Sequence, residues 1–223
     1  MDKFVDLRDA GGKLSTALTN FSENEKTYVV AIATGGVPVA AEVANQLNLP
    51  LEILLLKRLR LAEDPTQPLC AFDVAGVFLL DPEIGPIPDA PETGSEHSLV
   101  QSLGDLARRK QSCRGSLPNS NLAGMNVLLV DNGIRTGSTM LAATRALKQL
   151  NVNRIVAAVP VANPESKRVV EEQVDELIAL GWPDNFGHVG LWYKDFSRPS
   201  DEKIHAFLES NYTVFNSASL EQT

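Results

Sequence analysis

The chain has 223 residues, with 20 Lys and Arg against 28 Asp and Glu and a net charge of −8. That length suits one α/β core, the acidic balance argues against a nucleic-acid surface, and no apolar run approaches membrane-spanning length. The 2 cysteines, Cys70 and Cys113, make no disulfide framework, and Met1-Asp2-Lys3-Phe4 lacks the apolar stretch of a signal peptide, so a cytoplasmic setting is expected.

In chain order, a helix is expected from about Gly12 to Phe21. Thr27 to Ala33 is an apolar run of buried-strand type. Thr34-Gly35-Gly36-Val37-Pro38 then opens a helix to about Leu47; the glycines permit close backbone approach to a ligand, and Pro38 suits a first helical turn. A strand follows at Leu51–Lys57. Cys70 to Leu80 reads as strand material of an antiparallel edge hairpin. Asp81 to Gly94, rich in Pro, Gly and acidic residues, reads as a surface excursion. Ser98 to about Gln111 has helical spacing through Leu99, Leu103 and Leu106, with Arg108, Arg109, Lys110 and Arg114 clustered at its end. Asn126–Val130 and Arg154–Pro160 are central strands, separated by a helix after Thr139. Lys167–Glu172 is a short helix, Val174–Leu180 a strand, and Asp201–Leu208 a helix capped by Ser200 or Asp201. Residues 217–223 are expected to fray. This alternation predicts a single α/β domain over residues 1–223, built on a mainly parallel sheet.

The most informative stretch follows Val127-Leu128-Leu129-Val130. Asp131 and Asn132 stand at the carboxyl end of that strand, where open α/β sheets bind ligands. Gly133-Ile134-Arg135-Thr136-Gly137-Ser138-Thr139 then turns into a helix. Backbone N–H groups, hydroxyls and a positive dipole end on such a turn suit a phosphate. Asp131 adds a carboxylate for a sugar diol or a magnesium ion. A phosphate site and a diol site on one short turn point to a phosphorylated ribose. Neither G-x-G-x-x-G after a strand nor G-x-x-x-x-G-K-[ST] occurs, which argues against a dinucleotide fold and a nucleoside-triphosphate loop.

These residues resemble the phosphoribosyl pyrophosphate (PRPP) signature of type I phosphoribosyltransferases. Phe4-Val5-Asp6-Leu7-Arg8-Asp9-Ala10-Gly11, the Gly-Gly-Val-Pro-Val-Ala loop, Arg108-Arg109 with Arg114-Gly115, Val159-Pro160-Val161-Ala162 and Val189-Gly190-Leu191-Trp192-Tyr193-Lys194-Asp195-Phe196 extend the likeness to a bacterial group of unassigned substrate. The resemblance implies a Rossmann-like fold with a small hood lobe from residues 1–20 and 182–210, and a homodimer. By position, Asp131 is the first acid of the signature and the catalytic carboxylate, while Asn132 replaces the second. Ribose and 5′-phosphate fall to Asp131, Asn132, Gly133, Arg135, Thr136, Gly137, Ser138 and Thr139. Pyrophosphate falls to Thr34, Gly35, Gly36 and Arg114. The Ala33–Thr34 bond corresponds to a non-proline cis peptide of that family. Relatives usually carry Arg or Lys at Thr34, so one positive charge is missing from this loop.

For the acceptor, Trp192, Tyr193 and Phe196 are the residues expected to stack on a flat base, Asp195 and Lys194 to read its edge, and Asn163 is a second candidate. Arg135 stands where hypoxanthine-guanine enzymes place a basic aspartate, and arginine cannot serve as a base. His97, His188 and His205 show no metal-ligand spacing; the one expected cofactor is Mg2+, on Asp131. The implied activity is transfer of ribose 5-phosphate from PRPP to a nitrogenous base, with release of pyrophosphate. The alternatives are a non-catalytic PRPP or nucleotide sensor, motivated by Thr34 and Asn132, and a hydrolase of an activated phosphoribosyl compound.

Overall fold

A computed structural model describes residues 1–22, 24, 26–60, 68–81 and 99–220. In chain order its elements are α1 (Leu7–Ala17), β1 (Thr27–Ile32), α2 (Val37–Leu47), β2 (Leu51–Arg60), β3 (Pro68–Val74), β4 (Val77–Asp81), α3 (Leu99–Arg114), β5 (Asn126–Val130), α4 (Ser138–Gln149), β6 (Arg154–Val161), α5 (Lys167–Glu171), β7 (Glu176–Gly181) and α6 (Asp201–Leu220). The seven strands form one sheet in the order β4-β3-β2-β1-β5-β6-β7. From β2 to β7 every pairing is parallel, and β3 and β4 add an antiparallel hairpin at one edge.

The continuous apolar runs explain the central strands, because a parallel sheet covered on both faces buries both sets of alternating side chains. Val29 and Ala31 of β1 and Leu128 and Val130 of β5 enter one core, with α1, α2, α3 and α6. Val30, Ile32, Val127 and Leu129 enter the other, with α4 and Val170 of α5. Both terminal segments contribute to the first core through Leu7, Ala10, Leu14, Tyr193, Ile204 and Leu208. A parallel bridge joins Phe4 to Tyr193. Asn211 of α6 accepts from Leu51 N–H at 2.7 Å and donates to Leu49 O at 3.1 Å, fastening that helix to the start of β2.

The element order places the site. The chain leaves β1 toward β2 on one side and leaves β5 toward β6 on the other. Adjacent β1 and β5 therefore bracket the switch point of the sheet, the place where open α/β sheets bind ligands.

Three expectations change. The first helix starts at Leu7 rather than Gly12: Asp6 accepts from Asp9 N–H at 2.8 Å, and the Asp9 carboxylate accepts from Val5 N–H at 2.9 Å, a reciprocal cap. Gly11, expected before the helix, lies inside it, because a Cβ there would come within 2.6 Å of Val39 O on the closely packed α2. The third helix continues past Gln111 to Arg114 and ends on Gly115 at φ +59°, where Gly115 N–H donates to Gln111 O at 2.9 Å. The last helix extends past Leu208 to Leu220. Most of the expected excursion over Asp81–Gly94 lies outside the described residues. Among the described residues no helix is long and apolar enough to cross a membrane.

Candidate phosphate and ribose site

Two loops meet at the switch point. After Ile32 the chain turns through Ala33–Gly36 into α2, and the Ala33–Thr34 peptide is cis. The glycines there have a packing reason. A Cβ on Gly36 would lie 2.6 Å from Ile32 O and 2.9 Å from Val130 O, so the backbone of the first loop rests directly on the end of β5. A Cβ on Gly35 would strike the Asn132 side-chain amide. The two obstacles differ in kind: a side-chain amide can rotate, whereas strand carbonyls cannot. Gly36→Ala is therefore expected to lower unfolding free energy by about 1–3 kcal/mol, as overpacking does, and Gly35→Ala by clearly less. Urea unfolding of both variants checks this, and equal losses would contradict the backbone-contact explanation.

The second loop runs from Asp131 to Thr139. Its backbone is pinned from behind. Ile134 N–H donates to Val161 O at 3.0 Å, and Asn163 N–H to Ile134 O at 2.8 Å. Gly133 would meet Val161 O at 2.9 Å if it carried a Cβ. Gly137 is the N-cap of α4 at φ +84°, a conformation suited to glycine, and has no side chain of its own to cap the helix; Thr136 Oγ1 accepts from Ser138 N–H at 3.5 Å. Thr136 Oγ1 and Ser138 Oγ lie 3.1 Å apart beside that start. Hydroxyls and first-turn amides thus gather at the positive end of α4.

Asp131 is half-buried, and its Oδ1 accepts from Asn132 N–H at 2.7 Å. Burial pushes its carboxyl up to about 7, against the lowering effects of that hydrogen bond and of the Arg198 charge. Asn132 O accepts from the Tyr193 hydroxyl at 2.5 Å, so the 189–196 segment is tied onto this loop.

The cations sort differently from the sequence expectation. Arg114 does not reach the Ala33–Gly36 loop. Its guanidinium is buried against fully buried Glu52, donating through Nη1 to Oε1 and through Nη2 to Oε2 at 2.8 Å, and Nη2 also donates to Pro118 O at 2.6 Å. It was expected outside the helix; its place in the last turn directs it to β2 instead. Arg109 is the residue brought to this loop, donating to the Thr34 hydroxyl. Helical spacing carried the signal: Arg109 lies three residues after Leu106 and four before Cys113, both buried, so it shares their inward face. Lys57 pairs with Asp105 at 3.4 Å and Lys110 with Asp73 at 2.9 Å.

The aromatic expectation is also revised for Tyr193. Its ring is buried between Phe4 and Phe196, with centroids at 5.4 and 5.1 Å, so it offers no open face for stacking. Burial and the Asp131 charge hold its phenol well above the usual range, so it serves as a hydrogen-bond donor. Trp192 is partly exposed, with Nε1 donating to Phe186 O at 3.0 Å. Asn163 lies beside the second loop, but its side chain accepts from Glu165 N–H at 3.3 Å, as a cap.

Comparison with known proteins gives the family. A family model described as the phosphoribosyl transferase domain matches residues 85–195. Two sequences from Mycobacterium tuberculosis, strains CDC 1551 and H37Rv, provisionally named phosphoribosyl transferases, are each 31% identical over 218 residues. Those alignments cover 98% of this chain and 49% of each relative, so the chain spans about half the length of the curated relatives it matches. The crystal structure of TT1426 from Thermus thermophilus is 30% identical, with a TM-score of 0.68, covering 93% of this chain and 98% of that one.

Proposed function

The chain belongs to the phosphoribosyltransferase family, and from that premise we propose that it transfers the ribose 5-phosphate of PRPP to a nitrogenous-base acceptor and releases pyrophosphate. One observation carries this reading. Asp131 and the glycine-led start of α4 lie on one loop, and that loop abuts the Gly35-Gly36 loop across the switch point. A phosphate cradle, a carboxylate and a second bare-backbone loop stand in the order that PRPP presents a 5-phosphate, a ribose and a diphosphate.

On this reading the Thr136–Thr139 turn anchors the 5-phosphate, with the α4 dipole end behind it. Asp131 accepts from the ribose hydroxyls. The diphosphate lies toward Gly35 and Gly36. The bond from the ribose C1 to the diphosphate oxygen breaks with its electron pair leaving on oxygen, and the acceptor nitrogen bonds to C1 from the opposite face, its N–H proton passing to solvent or to the departing diphosphate. Positive charge develops on the ribose as in glycoside chemistry. The Asp131 carboxylate favours that charge from a fixed position, and the two loops hold the reacting ends in line. Arg135 cannot take a proton from the acceptor.

Magnesium fits the residues present in a limited way. Among the described residues no group of three or more His, Cys, Asp or Glu is arranged to hold a metal. Mg2+ needs no such group, since it keeps several waters and binds through one or two carboxylates plus substrate phosphates. Asp131 is the carboxylate that would hold it, and when bound it would offset the charge of the leaving diphosphate.

Pyrophosphate release, measured with Mg-PRPP and a panel of purine and pyrimidine bases, tests the proposal. Base-dependent release supports transfer. Release at the same rate without any base would identify a hydrolase. PRPP binding without release under any condition would identify a sensor, a reading that neutral Thr34 and Asn132 favour.

A further inference from the structure

Asn132-Gly133 is the one Asn-Gly pair in the chain, and it follows β5 and Asp131 directly. The Asn132 backbone is held at both ends. Its N–H donates to Asp131 Oδ1 at 2.7 Å, and its carbonyl accepts from the Tyr193 hydroxyl at 2.5 Å. The side-chain amide, by contrast, makes no hydrogen bond among the described residues. It lies against Gly35, in space that a Cβ there would fill. Gly133 N–H likewise donates to no acceptor among the described residues. Both residues are half-buried, so water reaches them. An unheld amide thus stands one residue before an unheld backbone nitrogen that no side chain shields.

We propose that Asn132 is a site of self-modification: it closes onto the Gly133 nitrogen and hydrolyses to aspartate, placing a second carboxylate beside Asp131. Glycine decides which asparagine reacts, because a Cβ on the following residue crowds the attacking nitrogen. The Gly133 nitrogen gives its proton to water and bonds to Asn132 Cγ. The bond from Cγ to the amide nitrogen breaks, and that nitrogen leaves as ammonia. Water then adds to Cγ of the five-membered imide, the ring C–N bond breaks, and Gly133 regains its N–H. In sum, one amide and one water give one carboxylate and one ammonium ion, with no change of oxidation state. Opening the ring at the backbone carbonyl instead would insert a carbon into the main chain. That carbonyl is closed off by buried Tyr193, and the chain beyond is pinned by Ile134 N–H donating to Val161 O at 3.0 Å. Cγ, beside the bare Gly35 backbone, is therefore the carbon that water attacks. The product changes the electrostatics of the loop. Two adjacent carboxylates attract Mg2+ more strongly than Asp131 beside a neutral amide.

To test this, the folded full chain is aged in warm, mildly alkaline buffer, beside a urea-unfolded sample and the variant Asn132→Gln. Peptide mass mapping with fragmentation reads every asparagine and separates aspartate from isoaspartate. In the folded chain Asn132 is expected to convert many-fold faster than any other asparagine, mainly to aspartate. Asn132→Gln, whose longer side chain cannot close the five-membered ring, stays unconverted at this position. Conversion of Asn132 only after urea unfolding overturns the proposal, since the native loop would then protect the amide. Isoaspartate as the main product overturns it too, because the new carboxylate would leave its place beside Asp131. Aged protein, Asn132→Asp and fresh parent are then titrated with Mg-PRPP, an arm that rests on the phosphoribosyl-transfer reading. The first two are expected to bind several-fold more tightly than the third. Equal binding by all three would overturn the role given to the new carboxylate. If no form binds PRPP, the transfer reading fails, while the mass result still decides the modification.

Discussion

Asp131→Asn is expected to slow phosphoribosyl transfer roughly 10²–10³-fold while making the ligand-free protein more heat-resistant above pH 7. The two effects share one cause. Asp131 is a carboxylate held where solvation is poor, so burial raises its carboxyl from 3.8 to about 7. A charge that is costly in the free protein is useful beside a ribose that turns cationic. Its removal should hurt rate far more than ground-state binding, because the interaction grows as the C1 bond breaks. On the proposed reading, phosphate anchoring at α4 relies on backbone donors and should survive. The stability effect has a definite sign. The folded-state value lies above the unfolded one, so ionisation opposes folding: the penalty is absent below about pH 4, grows as pH rises, and is complete above about 7. Asparagine never incurs it. After allowance for partial solvent screening, the gain at pH 8 is about 2 kcal/mol, several degrees in Tm for a domain of this size. Thermal melts at pH 4 and pH 8 in chelator-containing buffer, beside single-turnover rates, measure both halves. Near-parental turnover would remove Asp131 from the mechanism. A Tm difference that does not widen between the two pH values would reject the account of its burial.

The largest stability loss is expected at Glu52→Gln, about 3–5 kcal/mol. Glu52 is fully buried on β2, where it accepts from Ile53 N–H at 2.8 Å and receives both arms of Arg114. A neutral amide would leave the Arg114 guanidinium, itself only 7% exposed, charged and uncompensated between α3 and the sheet. Removing both charges differs from removing one. Glu52→Leu with Arg114→Met should regain much of the loss, since an apolar pair of similar volume carries no desolvation penalty. Urea unfolding of the single and double variants tests this, and a single-variant loss below about 1 kcal/mol would show that solvent reaches the pair. Ribose 5-phosphate affinity of the folded fraction should stay at the parental level in each variant, because Arg114 does not face the ligand loops.

Much of the frame was legible in the sequence. Val127–Val130 and Thr27–Ile32 are apolar without alternation, and only a strand covered on both faces requires that. Gly35-Gly36 and Thr136-Gly137 mark their turns by residue type alone. The remainder depended on facts that a linear pattern does not carry. The first helix is expected from about Gly12, yet Gly11 lies within it and lets α1 sit against α2, a tertiary gain that outweighs the poor helix propensity of glycine. Arg114 stands beyond a helix expected to end near Gln111, yet it lies inside that helix's last turn. Once the helix is seen to end on Gly115, the inward face defined by Leu106 and Cys113 selects Arg109. Tyr193 resembles a base platform in sequence, but its ring completes a core with Phe4 and Phe196, and only its hydroxyl reaches the site.

The contact of Gly36 with the end of β5 has a further consequence. Two flexible loops could part to admit ligands of various lengths. Here backbone rests on backbone, each loop continuing a central strand, so the gap between them behaves as a fixed ruler. A molecule is measured by the span between its two anionic ends. On the proposed reading that span is one pentose ring, and a hexose or an open-chain bisphosphate would be refused by length before any group on the ring is inspected.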